Sequence, residues 1–195
     1  IEELQQFLVT PTKEAAVVNA LQQADSVSLE SIAQKIQADS AHLGVVRMRL
    51  MSANADYSSM GLRFSQLDRL AAVQKGAVIH PEAFNENGKM LFDVLIPIKD
   101  EGGKIYGYIL AVVDGQIFEK SFAKVDSAVA ETVLQQKFNS GTTQVIFRSG
   151  KGTELEHASH PMASVVPHWG VVVVPGPQLL EENTISSLWQ FAVQG

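Results

Sequence analysis

Arg47 and Arg49 stand two residues apart in a stretch where Val46, Met48 and Leu50 alternate with them. On a strand this spacing puts both guanidiniums on one face, where together they can hold a carboxylate or a phosphate bidentately. The alternative is a solvated pair on an open face. Tyr57, Arg63, Asp93, Tyr106, Tyr108 and Asp114 are further candidate ligand contacts, as polar or aromatic groups near strand ends or a helical insertion. Tyr106 and Tyr108 are also two apart, so they are expected on one face, acting together or exposed together.

Catalytic chemistry is hard to find. No dinucleotide fingerprint or Walker A loop occurs, and no carboxylate pair stands out as a general acid and base. Gly150-Lys151-Gly152-Thr153 lacks the first glycine of a phosphate loop and a following helix, and reads as a tight hairpin turn. Ser121 to Lys124 fits S-x-x-K, but the companion S-D-N and K-T-G elements are missing. His157, His160 and His168 could form an open zinc site. A strand would turn His157 and His160 to opposite faces, however, and Pro161 bars a continuous helix, so surface or hydrogen-bonded histidines are expected. No catalytic residue, metal or cofactor is therefore assigned.

With 195 residues, the chain can form one full core or two small ones. A 46% hydrophobic and 18% charged composition is that of a folded globular protein and excludes a disordered tail. The net charge of -6 argues against nucleic-acid binding and against an anionic membrane surface. No cysteine is present, so there is no disulfide, thiolate nucleophile or Cys-ligated zinc. No apolar run approaches the roughly 20 residues that cross a bilayer. The sequence opens at Ile1 without the segments of an intact signal peptide, and reads as an excised domain or mature fragment.

The elements that must position these residues follow from periodicity. Thr10-Pro11 starts a helix with Ala15, Val18, Leu21 and Ala24 on one stripe. Ser28 is expected to cap a second, with Leu29, Ile32, Ala33 and Ile36 inward. Ser65 and Asp68 suggest a capping box for a helix burying Leu67, Leu70, Ala71 and Val73 and ending at Gly76. Strands are expected around Val46 to Leu50, over Met90 to Ile98 and over Ile105 to Val113, with turns at Asn85 to Gly88 and Asp100 to Gly103. Gln116 to Lys124 reads as a short helix and Ala128 to Phe138 as a longer one. Strands follow at Gln144 to Arg148, Thr153 to His157, Met162 to Val166 and Trp169 to Val174, then a helix over Gln178 to Gln194. Antiparallel hairpins beside segregated helices define an α+β class. The expected divisions are a helical stalk over 1–42, a sheet module over 43–125, a smaller α/β module over 126–177 and a closing helix over 178–195.

The stretch from Val45 to Lys124 resembles extracytoplasmic PAS-like or Cache-like sensor modules. Its strand pair reads Leu95-Ile96-Pro97-Ile98, a turn, then Gly103-Lys104-Ile105-Tyr106-Gly107-Tyr108-Ile109-Leu110. In amino-acid-binding Cache modules an aspartate just after this strand can hold the ligand amine, and Asp114 has that place; the accompanying Tyr, Arg and Trp pattern is not recognisable. More of the chain is similar to the N-terminal extracytoplasmic region of long, membrane-anchored bacterial phosphomannomutase/phosphoglucomutase proteins. The matching pieces are Arg47-Met48-Arg49-Leu50, Phe64 to Leu70, the same strand pair, and a short module with Trp169 in its last strand. Ala158-Ser159-His160-Pro161 only echoes the mutase phosphoserine loop, since His157 replaces its threonine and its asparagine is missing. The resemblance implies a non-catalytic sensor or ligand-binding domain in the periplasm. It also implies flanking transmembrane helices outside this chain, any mutase lying elsewhere in the parent protein. A ligand-free structural or homodimerisation module is the alternative, and an enzyme with an unrecognised site a second one.

Overall fold

A computed structural model describes residues 1–122, 130–138, 140–152, 160–163 and 166–176. The chain divides into two units, Ile1–Asp114 and Gly115–Gly195. The sequence-based boundary at Val125 to Ser127 lies outside the described residues.

The first unit begins with α1 (Glu2–Val9), a 3-10 turn at Pro11–Lys13, α2 (Ala15–Gln23) and α3 (Ser26–Asp39). Pro11 pre-sets the turn. Ala24 adopts the left-handed conformation and ends α2. Asp25, not Ser28, then caps α3: its carboxylate accepts the Val27 and Ser28 N–H groups. Ser28 contributes its hydroxyl to the same carboxylate at 2.5 Å.

A four-stranded antiparallel sheet follows, from β1 (Val45–Ser52), β2 (Glu82–Glu86), β3 (Lys89–Lys99) and β4 (Ile105–Asp114), in the order β1-β4-β3-β2. The β2–β3 turn is Asn87-Gly88, both at positive φ, the conformation of a two-residue type I′ hairpin. The polar Glu82–Glu86 run carries no strand signal of its own; its pairing with β3 makes it one. β4 lies inside the sheet and is buried from Gly107 to Val113, as its apolar run implies.

The two sheet faces are covered differently. α1 packs on β3, α2 on β1 and β4, and α3 along β1, burying Leu4, Leu8, Val17, Leu21, Leu29 and Ile36. Leu21 sits directly over Gly107, which has room for no side chain. The opposite face carries Met51, Leu95, Tyr108 and Leu110, packed with Leu70 and Val73 of α4 (Phe64–Gln74). α4 is capped differently from the expected Ser65/Asp68 box. The Arg63 N–H donates to Gln66 Oε1 at 2.9 Å, so the helix starts two residues earlier than that box would have it. Its buried face holds Gln66, Leu70 and Val73, with Ala71 exposed.

The second unit holds a 3-10 turn at Gly115–Ile117 and α5 (Phe118–Phe122). Its antiparallel sheet is β5 (Ala130–Lys137), β6 (Thr143–Ser149), β7 (His160–Ala163) and β8 (Trp169–Pro175), in the order β6-β5-β8-β7. The helix expected over Ala128 to Phe138 is thus a strand. β5 is central and buried on both faces from Ala130 to Leu134, so it shows no period-two alternation, and its apolar spacing mimics a helix. Trp169 packs edge-on against Phe118 and donates to Gln136 Oε1 at 2.8 Å. The expected elements over Thr153 to His157 and Gln178 to Gln194, and Ser159 with them, fall outside the described residues, as does Lys124 of the S-x-x-K run. So does His157, while His168 occupies a left-handed turn before β8. Among the described residues, no helix is long and apolar enough to cross a membrane.

Candidate functional site

The α4-side face of the first sheet brings together Arg47, Arg49, Arg63 and Asp93. Register explains why: Arg47 opposes Val112 and Arg49 opposes Leu110 on β4, while Asp93 opposes Val112 from β3 and Glu82 from β2. Residues opposite one another in adjacent strands point to the same face. Arg63 and Gln66 reach this face from the start of α4, and Phe84 and Glu86 from β2. Arg47, Arg49, Arg63, Gln66, Phe84 and Glu86 line a cleft of about 80 Å³, and Asp93 holds two of them, Arg63 and Gln66, without lining it. That volume admits water or a ligand's charged head group but is below the range of drug-sized pockets.

Asp93 is the electrostatic centre. Its side chain has 0% exposure, in the middle of an apolar strand. Arg63 Nη2 and Gln66 Nε2 (2.7 Å) donate to Oδ2, and Arg69 Nη2 donates to Oδ1. Gln66 therefore works twice, capping the helix through its oxygen and holding the carboxylate through its nitrogen. Arg69 also donates to the His80 carbonyl at 3.1 Å and lies 3.6 Å from Glu82. The Arg63 guanidinium stacks on Phe84, 3.4 Å from the ring centroid. Such a buried carboxylate persists because its cations and hydrogen bonds replace lost hydration.

The cleft's remaining cations differ. Arg47 pairs with Glu86 at 2.7 Å, with both side chains largely exposed. Arg49 donates to the Met60 carbonyl and has no carboxylate partner among the described residues. Charges at the cleft mouth sum to one uncompensated positive: Arg47 and Arg49 against Glu86.

The tyrosines do not act as a set. Tyr108 is fully buried and meets Tyr57 edge-to-face, with ring centroids 6.1 Å apart. Tyr106 instead donates to Asp100 Oδ2 at 3.1 Å, with Lys104 over its ring. The expectation that Tyr106 and Tyr108 share a face fails because the β3–β4 register shifts between Ile98 and Lys99 and breaks the alternation there. Asp114 ends β4 opposite Leu91, with its N–H on the Gly44 carbonyl, and does not line the cleft.

Tyr57 donates to the Ser52 carbonyl at 2.8 Å, and burial, with Tyr108 beside it, pushes its hydroxyl up to about 12. The raised folded-state value favours the protonated form. The associated stability is therefore complete below the ordinary value of 10 and lost as pH rises from there through about 12. Burial raises the Tyr108 hydroxyl as well, so tyrosinate absorbance during alkaline titration should show two late-ionising residues, of which Tyr57→Phe removes one, together with part of the alkaline loss of stability. Unchanged titration in that variant would contradict this assignment.

Gln66, Arg69, Phe84 and Glu86 are site residues that sequence reasoning missed. A signal existed: a lone carboxylate within Leu91-Phe92-Asp93-Val94-Leu95 must find buried cations, and Arg63 and Arg69 bracket Gln66 at three-residue spacing on a helix start.

No family model matches the chain, and no curated protein does. Among solved structures, the chain is similar to the periplasmic domain of Vibrio cholerae LuxQ, with a TM-score of 0.50 and 16% identity over 84% of this chain and 87% of that one. A selenomethionine structure of the same LuxQ domain matches at a TM-score of 0.49 and 14% identity, over 87% and 88% of the two chains. The first likeness agrees with the α+β class and the PAS/Cache-like antiparallel sheet behind N-terminal helices.

Proposed function

We propose that this chain is a non-catalytic, extracytoplasmic sensor domain of a membrane-anchored bacterial protein, and that its cleft takes a small anion. The carrying observation is Arg49, a guanidinium on the cleft wall with no carboxylate partner among the described residues, beside an Arg47–Glu86 pair that solvent already weakens. A carboxylate or phosphate group can replace Glu86 on Arg47 and add Arg49. Because Glu86 ends β2 at the hairpin turn, displacing it gives the ligand a differential hold on two conformations, which signalling requires. The fold likeness to a periplasmic domain supports the extracytoplasmic setting. Flanking transmembrane helices and a phosphomannomutase/phosphoglucomutase parent are finer steps that rest on the motif resemblance alone. Mutase assay of the full-length parent tests that parentage, and its absence there removes the mutase and leaves the sensor.

Thermal unfolding against carboxylates, amino acids, sugars and sugar phosphates tests the cleft. A true ligand at a hundredfold excess over Kd stabilises by about 2.7 kcal/mol. Arg47→Ala should abolish most of that gain while changing the ligand-free stability by no more than about 1 kcal/mol, since the ion pair it removes is exposed. A shift equal in wild type and variant would remove the cleft from the proposal. The ligand-free reading is favoured by a specific observation too: Arg47, Arg63 and Arg69 already have carboxylates within the chain. Silence across the library would select it.

A further inference from the structure

Resting on the anion reading of the cleft, we propose that its ligand is a short aliphatic monocarboxylate, and that Glu86 is the residue that turns away doubly charged anions. Charge balance carries the first step. Arg63 lines the cleft, but its charge and that of Arg69 are balanced by Asp93 and Glu82. Glu86 balances Arg47. Arg49 is left over, since Glu30, in the groove between α3 and β1 that Arg49 also lines, forms no ion pair with it. One negative charge therefore completes the site. A second would face the Glu86 carboxylate in the same small cleft, where like charges repel.

The polar groups of the wall narrow the ligand further. Guanidiniums only donate hydrogen bonds, and both ends of the Gln66 amide are engaged, its oxygen by the Arg63 N–H and its nitrogen by Asp93. No described lining residue carries a hydroxyl. Glu86 is thus the one lining side chain with a strong acceptor to offer, and Arg47 already holds it through both oxygens. Sugar hydroxyls or an amino-acid ammonium would compete with Arg47 for it or go unpaired, whereas a plain carboxylate needs only donors. The remainder of the wall is apolar. Val112 and Leu110 lie opposite Arg47 and Arg49 on β4, at 6% and 4% exposure, with Leu62 and Phe84 beside them. A carboxylate on the two arginines therefore lays its tail over hydrocarbon, and a volume of about 80 Å³ keeps that tail short.

Butyrate, succinate and 2-aminobutyrate differ from one another by a single group and serve as probes, each titrated calorimetrically into the whole chain at neutral pH. Butyrate should bind most tightly, about fourfold better than propionate, the increment of one buried methylene. Succinate and 2-aminobutyrate should each bind at least about fivefold more weakly than butyrate. Glu86→Gln, a change of charge at an exposed strand end, should improve succinate relative to butyrate by at least about fivefold. A merely structural role for Glu86 would not move that ratio, and an unmoved ratio removes Glu86 as the determinant. Should the variant disturb the β2–β3 turn, the ranking of the three acids by the wild-type chain still tests the ligand class. Succinate or 2-aminobutyrate binding as tightly as butyrate, and depending on Arg47 and Arg49, overturns the proposal and leaves the anion cleft standing. Silence for all three acids overturns both.

Discussion

Asp93→Ala should lower the stability of the first unit by about 3–5 kcal/mol, the cost of removing one partner from a buried ion pair. The substitution leaves Arg69, only 13% exposed, with Glu82 at 3.6 Å as its remaining carboxylate, and costs Arg63 and Gln66 the oxygen they share. It also loosens α4, because Gln66 caps that helix from the same position. Urea denaturation followed by circular dichroism measures the effect as a lower midpoint. Arg47→Ala is the matched control: it removes a carboxylate–guanidinium pair that is open to solvent, and should cost at most about 1 kcal/mol. Near-equal losses in the two variants would show that the Asp93 cluster is not buried as described.

Gly107→Ala is the second large effect, and its sign is unusual. Glycine inside a strand normally weakens it, so alanine would ordinarily help. Here an added Cβ would overlap the Met51 carbonyl oxygen and come within 2.6 Å of Leu21 Cδ2. One obstacle is backbone of the paired strand and the other is the helix packed on it, so β4 cannot accommodate the methyl by a rotamer change alone. The expected cost is about 1–3 kcal/mol, at the upper end because backbone must move. Combining the substitution with Leu21→Ala should show coupling, since the second change removes one of the two overlaps. A neutral or stabilised Gly107→Ala protein would contradict the close seating of α2 on the sheet.

Much of the first unit was legible because single residues dictate its turns and edges. Asn87-Gly88, Gly103 and the Arg47/Arg49 alternation each have one economical conformation, and the structure adopts it. The errors occurred where local signals compete. Ser65 and Asp68 fit a capping pattern, yet Gln66 bonds to the Arg63 N–H and shifts the helix start, and its bond to buried Asp93 draws Gln66 inward while Ala71 stays exposed. The β5 sequence mimics a helix because a strand buried on both faces has no polar beat to reveal its period. Arg47, Arg49, Arg63 and Asp93 were each visible as candidates, but their convergence depends on the β1-β4-β3-β2 order, which no local pattern encodes. The same order, with the shift at Ile98/Lys99, separates Tyr106 from Tyr108.

Calorimetric titration of small carboxylates and phosphates into the chain, beside an Arg47→Ala/Arg49→Ala double variant, tests the sensor claim most directly. A saturable one-to-one heat in the wild-type chain that disappears in the double variant is the predicted result. Absence of saturable heat for every anion would contradict an anion-sensing cleft and favour the ligand-free structural reading, and binding that survives loss of both arginines would move the anion away from this cleft.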